Sequence, residues 1–458
     1  MNNFIIDDKT KKLIAFIKEA IKDSSFEGNI FFTGETVLNW LLGKPTKTIE
    51  IFVQSPNGGI AFANILAYAD ESFKENQNPQ TYDDGQLIKL ELTKFPDFNF
   101  LISESLQIKK DEVSLETVYK TIEKDASIRN ITINSIYYNI TTDTFEDPSG
   151  YGITDFKNKL LRCASPEKYF YESPIRVLQL IRISCALGFG IEKNTWLKML
   201  KYSSKIINAQ KSRVTLEIVK LLITDKPSIG IRKMAVCNNL LQLVLPDIYK
   251  EQFVMEDIKT TVFDHTMKVV DMVKPIFVNR IAALFHAVAK NGTAKGMLAS
   301  EIASKAKSIM TSMGIPYNTT MSASMAIGVQ NTFATYTAKE IPKKSLLKSF
   351  KSFIGNDFDL AMDLMNAINT CRTFGAKPKQ VQMIINKLKD IELKEKKIKP
   401  TIKLPVNGND LMKNFSIATG PTVGRLLKMI KKEYIKNPSL TKDDCFDLVS
   451  DAIKSKRK

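Results

Sequence analysis

The sequence predicts an α+β chain: one small mixed sheet near the N-terminus, flanked by helices, and then helices almost to the end. Two observations carry this. β-branched and aromatic runs of strand length are confined to the region ending near residue 160. Beyond it, apolar residues recur with helical spacing between prolines and glycines. Of 458 residues, 44% are hydrophobic and 25% charged. That is a folded composition, with enough chain for about three or four structural units.

Asn29–Phe32 is a short apolar run that ends at Gly34. Thr36–Leu42 reads as a helix stopped by Gly43. Thr48–Gln54 alternates like a strand, and Gly59–Asn76 is helical. Gln86–Lys94 and Phe98–Ile102 are strands either side of a Pro96-Asp97 turn, and Ile131–Ile140 is another strand. Pro166, Gly188, Pro227, Pro246, Pro275, Pro316 and Pro342 then punctuate the helices. Breaks near 250, 340 and 400 are boundaries, and Lys394–Lys403 reads as a linker or exposed helix end. The terminal Lys-Ser-Lys-Arg-Lys is expected to fray, with RNA contact as the alternative.

The chain carries 66 Lys and Arg against 49 Asp and Glu, a net charge of +17. That excess favours a polyanionic partner, most simply RNA or DNA. Five scattered cysteines with no CxxC argue against a zinc ribbon or a disulfide framework. His265 and His286 are the sole histidines. No apolar run reaches the roughly 18–20 residues of a membrane span, and MNNFIIDDKTKK lacks the parts of a signal peptide. The expectation is an intracellular, cytoplasmic protein with no membrane partner.

Four stretches in order resemble one family. They are TGETVLNWLLGKPTKTIEIFV (33–53), DASIRNITINSIYYNITTDTFEDPSGYGITDFKNKLLR (125–162), YFYESPIRVLQLIRISCALGF (169–189) and LPVNGNDLMKNFSIATGPTVGRLLKMI (404–430). Together they resemble the class II tRNA nucleotidyltransferases (CCA-adding enzymes) and bacterial poly(A) polymerases, in the subgroup with an HD-type domain. The resemblance implies a nucleotidyltransferase head over 1–160, an all-α helical neck over 161–250, an HD-like body over 251–345 and a helical, RNA-binding tail over 346–458. It implies RNA, foremost tRNA, as partner, and Mg²⁺ as cofactor if the chain is active.

The departures bear on the chemistry. Two-metal transfer needs carboxylates that hold two Mg²⁺ ions about 4 Å apart. Residues two apart on a strand share a face, and the family places two Asp that way. Here those positions are Thr48 and Glu50. Two divalent ions repel by roughly 16 kcal/mol at about 4 Å and an effective dielectric near 20, and one carboxylate offsets little of that. The position on the neighbouring strand expected to supply a further acid is Asn99. Glu50 is left as a weak ligand for one metal.

The same erosion recurs in the other motifs. After Gly34 the second glycine of the turn is Glu35, and the following Arg-Asp is Leu38-Asn39. The Arg-Arg-Asp triplet is Ile128-Arg129-Asn130, so Arg129 alone keeps a charge for ribose and phosphate. The template motif is Glu172-Ser173-x-x-Arg176, with Gln179 where the family often has Arg and with Arg182 kept. Ser173 cannot reproduce the charged edge that reads a base. Glu172 and Arg176 also suit a structural ion pair.

FDHTMKVVDMV (263–273) and AALFHAVAKNGTA (282–294) resemble the HD helices, but Ala287 replaces the Asp after His286, and later ligand positions fall at Met297 and near Asn331. Two imidazoles without an acid make a poor divalent site; two histidines packed in a helical core are the alternative. In KSRVTLEIVKLLI, Val214, Ile218, Leu221 and Leu222 form an apolar stripe.

In the tail, Asn409 or Asp410 is expected to cap a helix at Leu411. Gly420-Pro421-Thr422-Val423-Gly424 opens another helix bearing Arg425 and Lys428. Exposed N–H groups beside cations there make an RNA phosphate seat; a tight helix corner that needs glycine is the alternative. The favoured reading is a pseudoenzyme that binds RNA or serves as an assembly module with protein partners. The other reading is an active Mg²⁺-dependent enzyme adding CCA or A to RNA 3′ ends.

Overall fold

A computed structural model describes residues 6–55, 58–71, 79–82, 87–103, 106–108, 117–119, 121–256, 259–288, 299–335, 343–371, 378–398, 404–417, 420–437 and 439–454. The expected helix end at 72–76, strand residue Gln86, linker residues 399–403, Pro342, Met297 and terminal residues 455–458 lie outside them.

The first helix, α1 (Asp8–Ile21), is capped by Asp7, whose carboxylate accepts from the Thr10 N–H at 2.8 Å. Its stripe Leu13, Ile14, Ile17 and Ile21 is buried. The strands are β1 (Ile30–Phe32), β2 (Thr48–Val53), β3 (Gln80–Tyr82), β4 (Leu87–Leu90), β5 (Asn99–Ser103), the pair β6 (Leu106–Ile108) and β7 (Thr117–Tyr119), then β8 (Tyr137–Asn139) and β9 (Thr144–Glu146). Between them lie α2 (Gly34–Leu41), α3 (Gly58–Ala69) and α4 (Ile122–Ile128). The main sheet has order β3-β4-β5-β2-β1-β8-β9; β2 and β5 run parallel and the other pairs antiparallel. It is thus mixed, as expected. Its core centres on Phe32, Trp40, Tyr138 and Phe100; the Trp40 ring meets Phe32 and Tyr138 edge-on, each at 5.3 Å.

The expected strand over Ile131–Ile140 is only partly a strand. Thr132–Asn134 is a 3₁₀ turn, and β8 begins at Tyr137. Thr132 Oγ1 donates to Asp155 at 2.7 Å and the Ser135 N–H bonds the Thr132 carbonyl at 2.9 Å. These local bonds replace ladder bonds. The expected strand over Gln86–Lys94 also ends early, at Leu90.

Helices dominate beyond the sheet. They are α5 (Gly152–Lys157), α6 (Pro166–Glu172), α7 (Arg176–Leu187), α8 (Lys193–Tyr202), α9 (Lys211–Leu222), α10 (Pro227–Val236), α11 (Leu240–Val244), α12 (Pro246–Lys250), α13 (Val262–Met272), α14 (Phe277–Phe285), α15 (Ala299–Ser312), α16 (Tyr317–Thr335), α17 (Lys344–Ile354), α18 (Phe358–Cys371) and α19 (Pro378–Ile398). Prolines open α6, α10 and α12, where a missing N–H leaves nothing unpaired. Gly188 closes α7 in the left-handed conformation at φ 68°. Within α9, Ile218, Leu221 and Leu222 are buried and Val214 is half-buried.

The chain divides into two compact units, one of Met1–Tyr336 with Asn356–Pro378, the other of Thr337–Gly355 with Lys379–Lys458. The second closes with α20 (Gly408–Phe415), α21 (Pro421–Lys436) and α22 (Lys442–Lys454), which share a core of Val406, Leu411, Ile430, Cys445 and Val449. Its sequence holds 24 Lys and Arg against 10 Asp and Glu, so it carries +14 of the chain's +17. The expected cap of α20 is displaced. Asn407 is the cap, accepting from the Asn409 and Asp410 N–H groups at 2.9 and 3.1 Å, and Asp410 reaches back to the Asn407 N–H at 2.8 Å. This reciprocal box satisfies one donor more than a single cap would.

Candidate functional site

Strand β2 alternates so that Ile49 and Ile51 enter the core while Thr48 and Glu50 share the half-buried opposite face. On the parallel neighbour β5, Asn99 stands opposite Thr48 and Leu101 opposite Glu50. The face therefore holds one carboxylate, one hydroxyl and one amide from these positions. Among the described residues, no three or more His, Cys, Asp or Glu side chains are placed to hold one metal ion.

Glu50 is engaged within the fold. Its Oε1 accepts from the Glu35 N–H in the first turn of α2 at 3.1 Å, and its Oε2 lies 3.7 Å from Arg129 Nη1. Gly34 makes room for this: its φ is 59°, and a Cβ there would overlap the Glu50 carboxylate. Thr36 ties α2 to the same strand, accepting from the Glu50 N–H at 2.7 Å and donating to the Thr48 carbonyl at 3.1 Å. Burial raises the Glu50 carboxyl above its ordinary value, while the Glu35 N–H and Arg129 oppose the rise.

Arg129 is the hub. Its Nε pairs with Asp125 at 2.6 Å, and its guanidinium lies over the Tyr137 ring at 5.5 Å. The Tyr137 hydroxyl donates to the same Asp125 oxygen at 2.6 Å. The motif-based reading missed Asp125 and Tyr137. An acid four residues before an arginine was the available signal for the first; the second pairs through the fold and leaves no local mark.

Next to this hub is a cleft of about 490 Å³. The end of α4 and the turn after it give Ser127, Arg129 and Asn130; α6 and the start of α7 give Lys168, Glu172 and Arg176. The cleft thus gathers four of the expected nucleotide-binding residues, Arg129, Asn130, Glu172 and Arg176. Gly34 and Arg182 do not line it. Arg182 Nε instead pairs with the buried Glu217 of α9 at 2.7 Å. Glu172 and Arg176 do form an ion pair, at 3.2 Å, but across a break: Pro174 holds Ser173 extended, so α6 ends and α7 begins. Arg176 also stacks on the Tyr169 ring at 4.6 Å and donates to the Tyr169 carbonyl at 2.9 Å.

His265 on α13 and His286 after α14 are both buried, with ring centroids 5.3 Å apart. His286 Nδ1 lies 2.7 Å from the Ala283 carbonyl, and Asn331 donates to the Ile327 carbonyl at 2.9 Å. In the second unit, Gly420, which precedes α21, and Thr422, Gly424, Arg425 and Lys428 on it are all exposed. A Cβ at Gly424 would meet nothing within 4 Å, so packing does not demand that glycine.

Residues 30–162 match the family model described as the poly A polymerase head domain, and 188–251 match the probable RNA and SrmB-binding site of polymerase A. The mitochondrial CCA tRNA nucleotidyltransferase of Candida glabrata is 27% identical over 220 residues, covering 44% of this chain and 40% of that protein. The CCA-adding enzyme of Ligilactobacillus salivarius is 25% identical over 232 residues, covering 50% and 53%. The chain spans about half the length of these curated relatives. The Bacillus stearothermophilus CCA-adding enzyme, solved with CTP, shares the fold with TM-score 0.57, 15% identity and 99% coverage of both chains.

Residues 30–162 and 188–251 are thus homologous to the CCA-adding enzymes and poly(A) polymerases, a family of nucleotidyltransferases. The chain shares with that family a mixed head sheet and a largely helical remainder. A pair of Mg²⁺ ions does not fit its donor set. Thr48 and Asn99 offer neutral oxygens, and the Glu50 carboxylate is spent on Glu35 N–H and Arg129. Among the described residues, no helix is long and apolar enough to cross a membrane.

Proposed function

We propose that this protein is a pseudoenzyme that binds RNA, with tRNA as the RNA, and acts as a binding or assembly module. The observation that carries this reading is the engagement of Glu50, the one acid at the expected metal positions, by the fold itself. Four further motifs are eroded in the same chain, which points away from chemistry under selection. The proposed organisation is a head over 1–160, a neck over 161–250, a degenerate HD-like body over 251–345, with His265 and His286 as its remnant, and a tail over 346–458. Gly420, Thr422, Gly424, Arg425 and Lys428 are its proposed RNA contacts; their exposure and the +14 charge of the second unit support that role. The names of its curated relatives support tRNA.

The test is incubation of the full chain with tRNA lacking its CCA end, labelled CTP or ATP, and Mg²⁺ or Mn²⁺. The expected result is salt-sensitive tRNA binding without incorporation. The second reading, an active Mg²⁺-dependent transferase with Glu50 as ligand, draws on the retained cleft around Arg129, Asn130, Glu172 and Arg176. Robust incorporation that is lost in Glu50→Ala would establish it.

A further inference from the structure

Just beside the cleft, α6 presents an arrangement that none of the expected site residues explains. Lys168 and Glu172 line the cleft, and Tyr171, on the same helix, stands 64% exposed. The Lys205 ammonium lies over the Tyr171 ring at 4.6 Å and over the Tyr202 ring at 5.2 Å, and the two rings meet edge-on at 6.3 Å. The neighbouring lysines share one acid. Lys198 and Lys201 both pair with Glu167, which also accepts from the Tyr202 hydroxyl. Among the described residues Lys205 has no carboxylate partner, so its charge is held against aromatic faces and remains available to an anion.

An exposed aromatic ring beside an uncompensated cation fits one polyanion well. Single-stranded RNA offers a base to stack and a phosphate within reach of the cation, and neither contact depends on base identity. A duplex hides its base faces and would use the lysine alone. We propose that Tyr171 and Lys205 form a one-base stacking shelf for single-stranded RNA at the edge of the cleft. Tyr171 takes the base on its exposed surface and Lys205 pairs with the adjoining phosphate. The shelf rests on the reading of this chain as an RNA-binding protein, and joins a residue outside the matched RNA-binding segment, Tyr171, to one within it, Lys205.

The test uses the full chain and an oligo(A) of about twelve nucleotides, with 2-aminopurine placed at single positions in turn. Tyr171→Ala is expected to weaken binding roughly tenfold, the size of one lost base stack, and to abolish the fluorescence quenching at one position. Tyr171→Trp is expected to restore both. Lys205→Gln is expected to lower the slope of log affinity against log salt by about 0.7. Wild-type affinity and quenching in Tyr171→Ala would overturn the shelf while leaving RNA binding intact. An absence of oligo(A) binding by the wild type, with tRNA still bound, would likewise overturn it. An absence of binding to either RNA would remove the reading on which it rests.

Discussion

Arg129 stands between two carboxylates, 2.6 Å from Asp125 and 3.7 Å from Glu50. One guanidinium therefore joins the end of α4 to the face of β2 that carries Thr48 and Glu50. The Glu50 carboxylate meets a fixed cation on one side and the Glu35 N–H on the other, which makes it a counter-ion of the fold.

The acid–base behaviour of Glu50 follows from its burial. Its folded value is raised, so protonation favours the fold, and that contribution is lost as pH climbs from the ordinary carboxylate range through the raised value. Urea melts at pH 4 and pH 7 should show Glu50→Gln gaining stability relative to wild type as pH increases. A gap that narrows with pH would mean that Arg129 and the Glu35 N–H outweigh desolvation.

Arg182 should behave as a structural residue. Its partner Glu217 has a side chain 6% exposed, and removing Arg182 leaves that buried carboxylate with Lys220 alone, at 3.8 Å. Arg182→Ala is expected to cost about 3 kcal/mol in denaturant melts. Arg176→Ala, which alters the cleft wall, should change nucleotide or RNA affinity more than Arg182→Ala does when both are compared under folded conditions.

The reciprocal cap of α20 sets the stability of its own unit. Asn407→Ala is expected to destabilise it by about 1 kcal/mol. Hydrogen exchange should localise the loss to α20–α22, whose shared core surrounds Leu411 and Ile430, and leave the head sheet protected.

Binding to tRNA should weaken when α21 loses its exposed cations. The double variant Arg425→Gln, Lys428→Gln is expected to lower the slope of log affinity against log salt by about one to two units. An unchanged slope would place the phosphate contacts on residues other than Arg425 and Lys428.

Much of the head could be read from residue order alone. β1, β2 and β5 announced themselves because apolar alternation and glycine stops act locally. The helix α1 passed without notice, although Asp7 and the Leu13–Ile21 stripe mark it. Thr132–Ser135 misled because β-branched residues resemble a strand until the Thr132 hydroxyl finds Asp155 and the Ser135 hydroxyl finds the Ala126 and Ile131 carbonyls. Within the cleft, Arg129, Asn130, Glu172 and Arg176 came from motif positions, whereas Tyr169 and Lys168 came from the path of α6. Arg182 looked like part of the site because nothing nearby in sequence reveals Glu217, thirty-five positions away.

Gly34 has a lasting consequence. By leaving space at the mouth of α2 it lets the protein supply its own anion there. A helix end already quieted from inside gains little from an incoming triphosphate, so added nucleotide should scarcely move the melting temperature of the head.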